Sequence, residues 1–342
     1  MLSFEWMCNK QMKNVSRETL PNFPGHLYHV KHSFPGTPIM LQTTDSENQF
    51  VVDILTALRN EKFSPLAWAH FLGSSWQRSC ATARANPSLK RSWTHITMFI
   101  GAFALAILVV NFTLEGPGET LRLMPGFLFC VAWQQSDLYW HLGLNRQSRT
   151  GILMPVVGVA TSLTWLRGLG ASYLLGRFVG GISTPSWLAL LIFLSGIMTD
   201  ILDGQIARRT QTQSKLGQIA DGEADFCLYF AISLILIQND VLPLWFGLFI
   251  LLRFIIPLFG ALASYFLFAH PIHFGSTLWG KWAGLALSFY FLVLLAPSQL
   301  VFLTRFVNLL LLIVTLILLI TACVAQIVMN MPNSMVKKGN PV

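Results

Sequence analysis

Residues 200–225 read DILDGQIARRTQTQSKLGQIADGEAD. They place Asp200, Asp203, Asp221 and Asp225 in a chain otherwise dominated by apolar runs. A charged side chain in or beside a bilayer is costly unless it is paired, solvated or used. The run from Trp187 to Met198 is apolar, so Asp200 and Asp203 fall at one end of a membrane helix, three residues apart and on one face. After a polar turn, Asp221 and Asp225 are four apart and share a face of the next helix. Consecutive helices joined by a short loop pack antiparallel, which lets the two carboxylate pairs converge. Four carboxylates repel, so the arrangement calls for a cation among them. Oxygen donors at this density suit a hard divalent ion such as Mg2+ or Mn2+. Gly204, Ala207 and Gly217 keep the surrounding helix faces small, and Arg208 is a planar donor suited to phosphate. The combination fits a metal-bound diphosphate.

Composition supports the membrane setting. Of 342 residues, 54% are hydrophobic and 11% charged, against about 25% charged in soluble domains. An all-α polytopic membrane protein follows. The net charge of +8 is better explained by basic loops beside anionic lipid than by nucleic acid, and no nucleic-acid partner is expected. Cys8, Cys80, Cys130, Cys227 and Cys323 lie far apart with no CxxC pair, which argues against a zinc site or a disulfide framework. The N-terminal MLSFEWMCNKQMKN shows no basic start followed by an apolar run, so no cleaved signal peptide is expected. Asn14-Val15-Ser16 and Asn111-Phe112-Thr113 match the glycosylation sequon.

The chain divides into a polar extension (1–95), two accessory membrane helices (96–150), a membrane core (151–332) and a short tail (333–342). Within the extension, Leu66, Trp68, Phe71, Leu72 and Trp76 recur at helical spacing, with Arg78, Arg84, Lys90 and Arg91 following. The pattern predicts an amphipathic interfacial helix over 64–91; a helix packed on the cytosolic loops is the alternative. Apolar runs of about the 20 residues that a bilayer requires predict spans at 96–114, 121–141, 153–175, 186–204, 218–238, 242–268, 278–297 and 305–330. Arg146, Arg149, Arg208, Arg209, Lys215, Lys337 and Lys338 fall on one side. EGPGE at 115–119 and QND at 238–240 fall on the other, together with Arg177 and Arg305. The basic excess predicts that both termini and the aspartate stretch are cytosolic.

The pattern Asp200-x2-Asp203-Gly204-x2-Ala207-Arg208-x8-Gly217-x3-Asp221-x3-Asp225 resembles the signature of the CDP-alcohol phosphotransferase (CDP-alcohol phosphatidyltransferase) family at every fixed position. The spans from about 153 to 330 are similar to that family's six-helix core, with the first two spans outside it. The resemblance implies an enzyme of phospholipid biosynthesis. An alcohol hydroxyl attacks the β-phosphate of a CDP-activated donor, usually CDP-diacylglycerol, and CMP leaves. It implies two metal ions held by Asp200, Asp203, Asp221 and Asp225, with Asp225 as the candidate base. It implies that Gly204, Ala207, Arg208 and Gly217 border the cytidine and diphosphate, and that the protein forms a homodimer in the plasma (inner) membrane.

ATSLTWLRG at 160–168 resembles the family's Asn-x-x-Thr-x-x-Arg element through Thr164 and Arg167, with Thr161 in place of the Asn. By this resemblance Thr164 and Arg167 contact the donor; a structural partner for a carboxylate is the alternative for Arg167. Arg253, inside LLRFIIP, and Lys281, inside LWGKWAG, are candidates for holding an anionic acceptor such as glycerol 3-phosphate or an inositol phosphate. A snorkelling lysine is the alternative for Lys281. A neutral amino-alcohol or serine acceptor is a second reading within the family. A divalent-cation transporter is a reading outside it, and the position of the acids at one end of their helices argues against that.

Overall fold

The computed structural model describes residues 53–268, 278–296 and 305–330. The first 52 residues, the C-terminal tail and Asn14 of the first sequon lie outside the described residues. The chain forms two compact units, Met1–Ala85 and Asn86–Val342. In the first, α1 covers residues 53–60 and α2 covers Pro65–Ala85. Ser64 accepts a hydrogen bond from the Ala67 amide at 3.2 Å, which caps the start of α2. The helix expected over 64–91 is divided. It stops at Ala85 because Asn86 precedes Pro87, and a residue before proline is pushed out of the helical region. Lys90 and Arg91 therefore belong to the start of the next helix.

The second unit begins with α3, Pro87–Trp140, which folds back on itself at Gly116 (φ 87°, ψ 175°). Glycine tolerates that backbone, and Pro117 behind it removes a helix donor. Trp93 Nε1 donates to the Gln135 carbonyl at 3.1 Å, and Thr97 Oγ1 donates to Gln135 Oε1 at 3.1 Å. Those contacts across some forty residues make α3 a hairpin of two antiparallel arms, at the places of the two expected accessory spans. The second sequon is closed to a glycan. Asn111 is 3% exposed. It donates to Thr120 Oγ1 at 3.1 Å and accepts from the Tyr173 hydroxyl at 3.0 Å.

A short 3-10 turn, Leu142–Leu144, leads into an irregular connection. Its backbone bridges pair Arg146 with Leu153 and Gln147 with Ser214. The helix expected from 153 starts at Val159 instead. Pro155 and Gly158 disfavour an earlier start, and Asn145 Nδ2 holds the connection extended by donating to the Val156 carbonyl at 2.9 Å.

Six helices follow: α4 Val159–Val179, α5 Ser186–Arg209, α6 Lys215–Gln238, α7 Leu244–Phe268, α8 Leu278–Leu295 and α9 Arg305–Asn330. α4 lies at the centre, packed against α3, α5 and α6, while α9 packs on α7 and α8. The approach of α3 to α4 is close. A Cβ on Gly176 would lie 2.9 Å from the Phe127 backbone nitrogen, the small-residue packing typical of helices in lipid. Phe193, Tyr229 and Phe291 form an aromatic knot between α5, α6 and α8, with centroids 5.7 to 5.9 Å apart.

Among the described residues, α3, α5, α8 and Asn308–Ala325 of α9 are long and apolar enough to cross a membrane. Their outward faces carry large exposed apolar side chains such as Leu105, Phe129, Leu191 and Ile317. α4 and α6 read as less apolar because they sit inside the bundle and carry its polar groups. The chain is an all-α polytopic membrane protein. At the end of α4 away from the aspartates, Arg177 is 2% exposed and donates to both oxygens of Glu115 at 2.6 and 2.8 Å. The EGPGE turn and Arg177 thus meet at one end of the bundle.

Candidate active site

Three helices build one polar cluster. α4 brings Thr164 and Arg167 one turn apart, α5 brings Asp200 and Asp203, and α6 brings Asp221 and Asp225. Ser214 caps α6 by accepting from the Gly217 amide at 3.0 Å, which fixes where the helix begins and hence which face its acids share. The side chain of Arg167 is 1% exposed and lies among all four acids. Its Nη1 is 2.8 Å from Asp200 and 2.9 Å from Asp225. Its Nη2 is 2.5 Å from Asp221 and 3.5 Å from Asp203. Asp203 also accepts from Thr164 Oγ1 at 2.8 Å.

The predicted carboxylates therefore converge. Arg167 is held by the acids in this arrangement. Its partners are the acids, and it does not line the adjacent cleft. The physical reason is burial: a guanidinium this enclosed must find acceptors within reach, and the four carboxylates are the acceptors at hand.

Oxygens of Asp200, Asp221 and Asp225 lie within 4.8 Å of one another, close enough to share a cation. One guanidinium offsets only part of the negative charge of four acids, and it engages one oxygen of each. All the donors are carboxylate oxygens, the chemistry that Mg2+ and Mn2+ prefer. The residues present fit such an ion.

Beside the acids opens a cleft of ≈ 170 Å³. Its lining includes Thr161, Thr164, Asp203 and Asp221 at the polar end, and Gly204, Ala207, Arg208 and Gly217 beyond them. Every non-acidic signature residue thus faces one space. A Cβ on Gly217 would sit 3.3 Å from both Ser214 Oγ and Thr161 Oγ1, so glycine keeps this wall back. Arg208 is exposed at the rim. The outer wall is held by the connection after α3. The Ser148 amide donates to the Gln213 carbonyl at 2.8 Å, and Gln147 Nε2 donates to the Gln211 carbonyl at 2.9 Å.

The two basic acceptor candidates lie outside that cleft. Arg253 is half-buried, and its Nη2 donates to the Gly280 carbonyl at 3.0 Å. Its Nη1 is buried without a hydrogen-bond partner. Arg253 lies near enough to Asp225 for the carboxylate charge to act on it. Lys281, directly after Gly280, is exposed. His270 and His273 lie outside the described residues.

Sequence reasoning missed Tyr229 and Ser288, whose hydroxyls lie 2.5 Å apart. Tyr229 follows Asp225 by one helical turn, a spacing that could have drawn attention to it. Ser288 carried no local signal. Also missed were Asp137 and His141, whose carboxylate Oδ2 and Nδ1 lie 3.1 Å apart at the end of α3.

Comparison with known proteins agrees with this geometry. The profile of the CDP-alcohol phosphatidyltransferase family matches residues 157–328, which covers α4 to α8 and most of α9. A cardiolipin synthase (CMP-forming) from Streptomyces coelicolor is 41% identical over 75 residues. That similarity covers 22% of this chain and 34% of the relative, so it spans about a third of the relative's length. No solved structure matches the chain. With its signature residues gathered at one cleft and half of its length matched by the family profile, the chain belongs to the CDP-alcohol phosphatidyltransferase family.

Proposed function

We propose that this protein transfers a phosphatidyl group from a CDP-activated lipid, CDP-diacylglycerol, to an alcohol and releases CMP. The observation that carries the proposal is the convergence of Asp200, Asp221 and Asp225 within 4.8 Å beside the cleft lined by Gly204, Ala207, Arg208 and Gly217. The cleft holds the cytidine diphosphate, with Gly217 leaving room for it and Arg208 at the rim for its charge. Asp200, Asp203, Asp221 and Asp225 would hold two divalent ions, Mg2+ or Mn2+, whose chemistry is to neutralise phosphate oxygens and clamp an in-line displacement.

Asp225 accepts the proton of the acceptor hydroxyl. The hydroxyl oxygen bonds to the β-phosphorus, the bond from that phosphorus to the bridging oxygen breaks, and CMP carries that oxygen away. Thr164 supports the site from behind by fixing the Asp203 carboxylate. Arg167 keeps the four acids in register through its ion pairs.

In this reading the acceptor is an anionic polyol such as glycerol 3-phosphate or an inositol phosphate. The position of Arg253, near Asp225 and with a buried Nη1 that lacks a partner, supports it. Lys281 adds charge at the entrance. A second reading is favoured by the likeness to a cardiolipin synthase (CMP-forming). There the product is cardiolipin, which by atom balance requires phosphatidylglycerol as the alcohol.

The active site and both termini face the cytosol of the plasma (inner) membrane. The basic residues on that side support this, as does the pairing of Arg177 with Glu115 on the other. α2 lies at the interface, and the protein acts as a homodimer. The test is CMP release from CDP-diacylglycerol across glycerol 3-phosphate, inositol phosphate, serine, an amino-alcohol and phosphatidylglycerol. Release with an anionic polyol supports the first reading, and release with phosphatidylglycerol alone favours the second.

A further inference from the structure

We propose that residues 145–156, the connection after α3, are part of the donor site although they lie outside the family-matched residues. Gln147 and Ser148 position the α5–α6 turn that walls the cleft, and Arg149 joins Arg208 in holding the phosphates of the cytidine diphosphate. The proposal rests on the transferase reading above, which puts that diphosphate in the cleft.

The connection is tightly bonded within itself. The Gln147 amide donates to the Ile152 carbonyl at 2.9 Å, and the Met154 amide donates to the Asn145 carbonyl at 2.8 Å. Gly151 closes the reversal at φ 70°, a backbone that glycine takes without strain. Arg146 Nη1 donates to the Gly151 carbonyl at 3.1 Å, and Thr150 Oγ1 donates to Gln147 Oε1 at 2.7 Å. The second of these orients the Gln147 side chain, whose Nε2 donates to the Gln211 carbonyl at 2.9 Å. The Ser148 amide and hydroxyl both donate to the Gln213 carbonyl, at 2.8 and 3.1 Å.

The turn that receives these bonds needs them. Gln211 has φ 54°, a left-handed backbone that a residue with a side chain adopts at a cost and keeps where its surroundings fix it. The same turn supplies Thr212, Gln213 and Ser214 to the wall of the donor cleft, and Ser214 caps the start of α6. A shift of the turn changes the width of the cleft beside Gly217, where a Cβ would already lie 3.3 Å from Ser214 Oγ.

Arg149 adds charge to the same wall. It lines one small hollow with Arg208, Gln147, Ser148, Gln211 and Gln213. Arg208 and Gln213 also line the donor cleft, so the two spaces adjoin. No acid is among those lining residues. Two guanidiniums beside one another repel unless an anion joins them. Their planar donors, with amides and a hydroxyl around them, suit phosphate oxygens. Both arginines are exposed, so the hollow is open to a ligand entering the cleft.

The test uses the full chain with Mg2+ in nanodiscs of neutral and of anionic lipid, with CDP and cytidine as calorimetric probes. Arg149→Gln is expected to weaken CDP binding about 5-fold or more, the scale of a charge-assisted hydrogen bond at an open site, and to leave cytidine binding unchanged. Arg149→Lys is expected to restore part of the loss. The double variant Gln147→Leu with Ser148→Ala is expected to weaken CDP and cytidine binding alike, by roughly 5-fold. It should raise KM for the CDP-lipid with little change in kcat. Should the double variant fail to fold, Ser148→Ala against Ser148→Thr decides: weaker CDP binding in the alanine variant alone supports the positioning role, and equal binding overturns it. Unchanged CDP affinity in Arg149→Gln overturns the phosphate contact. A loss confined to anionic nanodiscs overturns it too and assigns Arg149 to a lipid headgroup. Wild-type CDP affinity in every variant overturns the whole proposal and leaves the transferase reading intact. A wild-type protein that binds no CDP overturns both.

Discussion

Arg167 and Asp221 meet at 2.5 Å between α4 and α6, and the same guanidinium reaches Asp200, Asp203 and Asp225. The pairing explains how a bundle with few charges keeps four acids side by side. Arg167→Lys replaces a planar fork with a point charge that cannot serve both helices at once. We expect it to fold with a loss of about 2 kcal/mol, a figure reduced for the solvent that reaches Asp200, Asp221 and Asp225. CMP release should fall at least 10-fold. Thermal unfolding in chelator and turnover with saturating donor measure the two effects separately.

Gly217 tests the donor cleft. A Cβ there would already sit 3.3 Å from Ser214 Oγ and Thr161 Oγ1. Gly217→Val adds two further carbons toward the cytidine diphosphate. The expected result is a raised KM for the CDP-lipid with a smaller change in kcat, because the loss falls mainly on donor binding. An unchanged KM for the donor would remove Gly217 from the cleft's function.

Arg253 and Lys281 test the acceptor. Arg253→Gln removes a half-buried charge whose Nη1 has no hydrogen-bond partner. We expect it to raise KM for an anionic alcohol while leaving KM for the CDP-lipid unchanged, with Lys281→Gln giving the same effect more weakly. Steady-state kinetics with each substrate varied in turn reads this out. Equal effects on both substrates would assign Arg253 to the scaffold.

Arg177 offers the contrasting case. It is 2% exposed and pairs with Glu115, ten residues and about 15 Å along α4 from Arg167. Breaking a buried ion pair by removing one partner costs about 3–5 kcal/mol. Arg177→Gln is expected to lower the melting temperature by several degrees while folded molecules keep their KM for both substrates.

The aspartates were legible in the sequence because their spacing is a local property. Intervals of three and four residues specify a helix face wherever the helix lies. The glycines and Arg208 were legible for the same reason. The two halves of α3 were legible as apolar runs around EGPGE. Apolar periodicity runs on through Asn86-Pro87 and Pro155 and so misplaces the boundaries there, because a residue before proline is pushed out of the helical region. Asn145 also holds its stretch extended from eleven residues away.

The partners of Arg167 could not be read because they depend on how closely α4, α5 and α6 approach, which no single helix encodes. Ser288 was hidden for that reason too: it looks like an isolated polar residue until another helix is laid against it.

The most direct test of the central claim is CMP release by the purified protein in nanodiscs containing CDP-diacylglycerol, with an alcohol acceptor and Mg2+ or Mn2+. The account predicts release that needs both alcohol and metal, stops on addition of chelator and resumes when metal is restored. It also predicts no release by Asp225→Asn, whose fold and cleft persist. Absence of CMP with every alcohol, or release by Asp225→Asn at the wild-type rate, would contradict it.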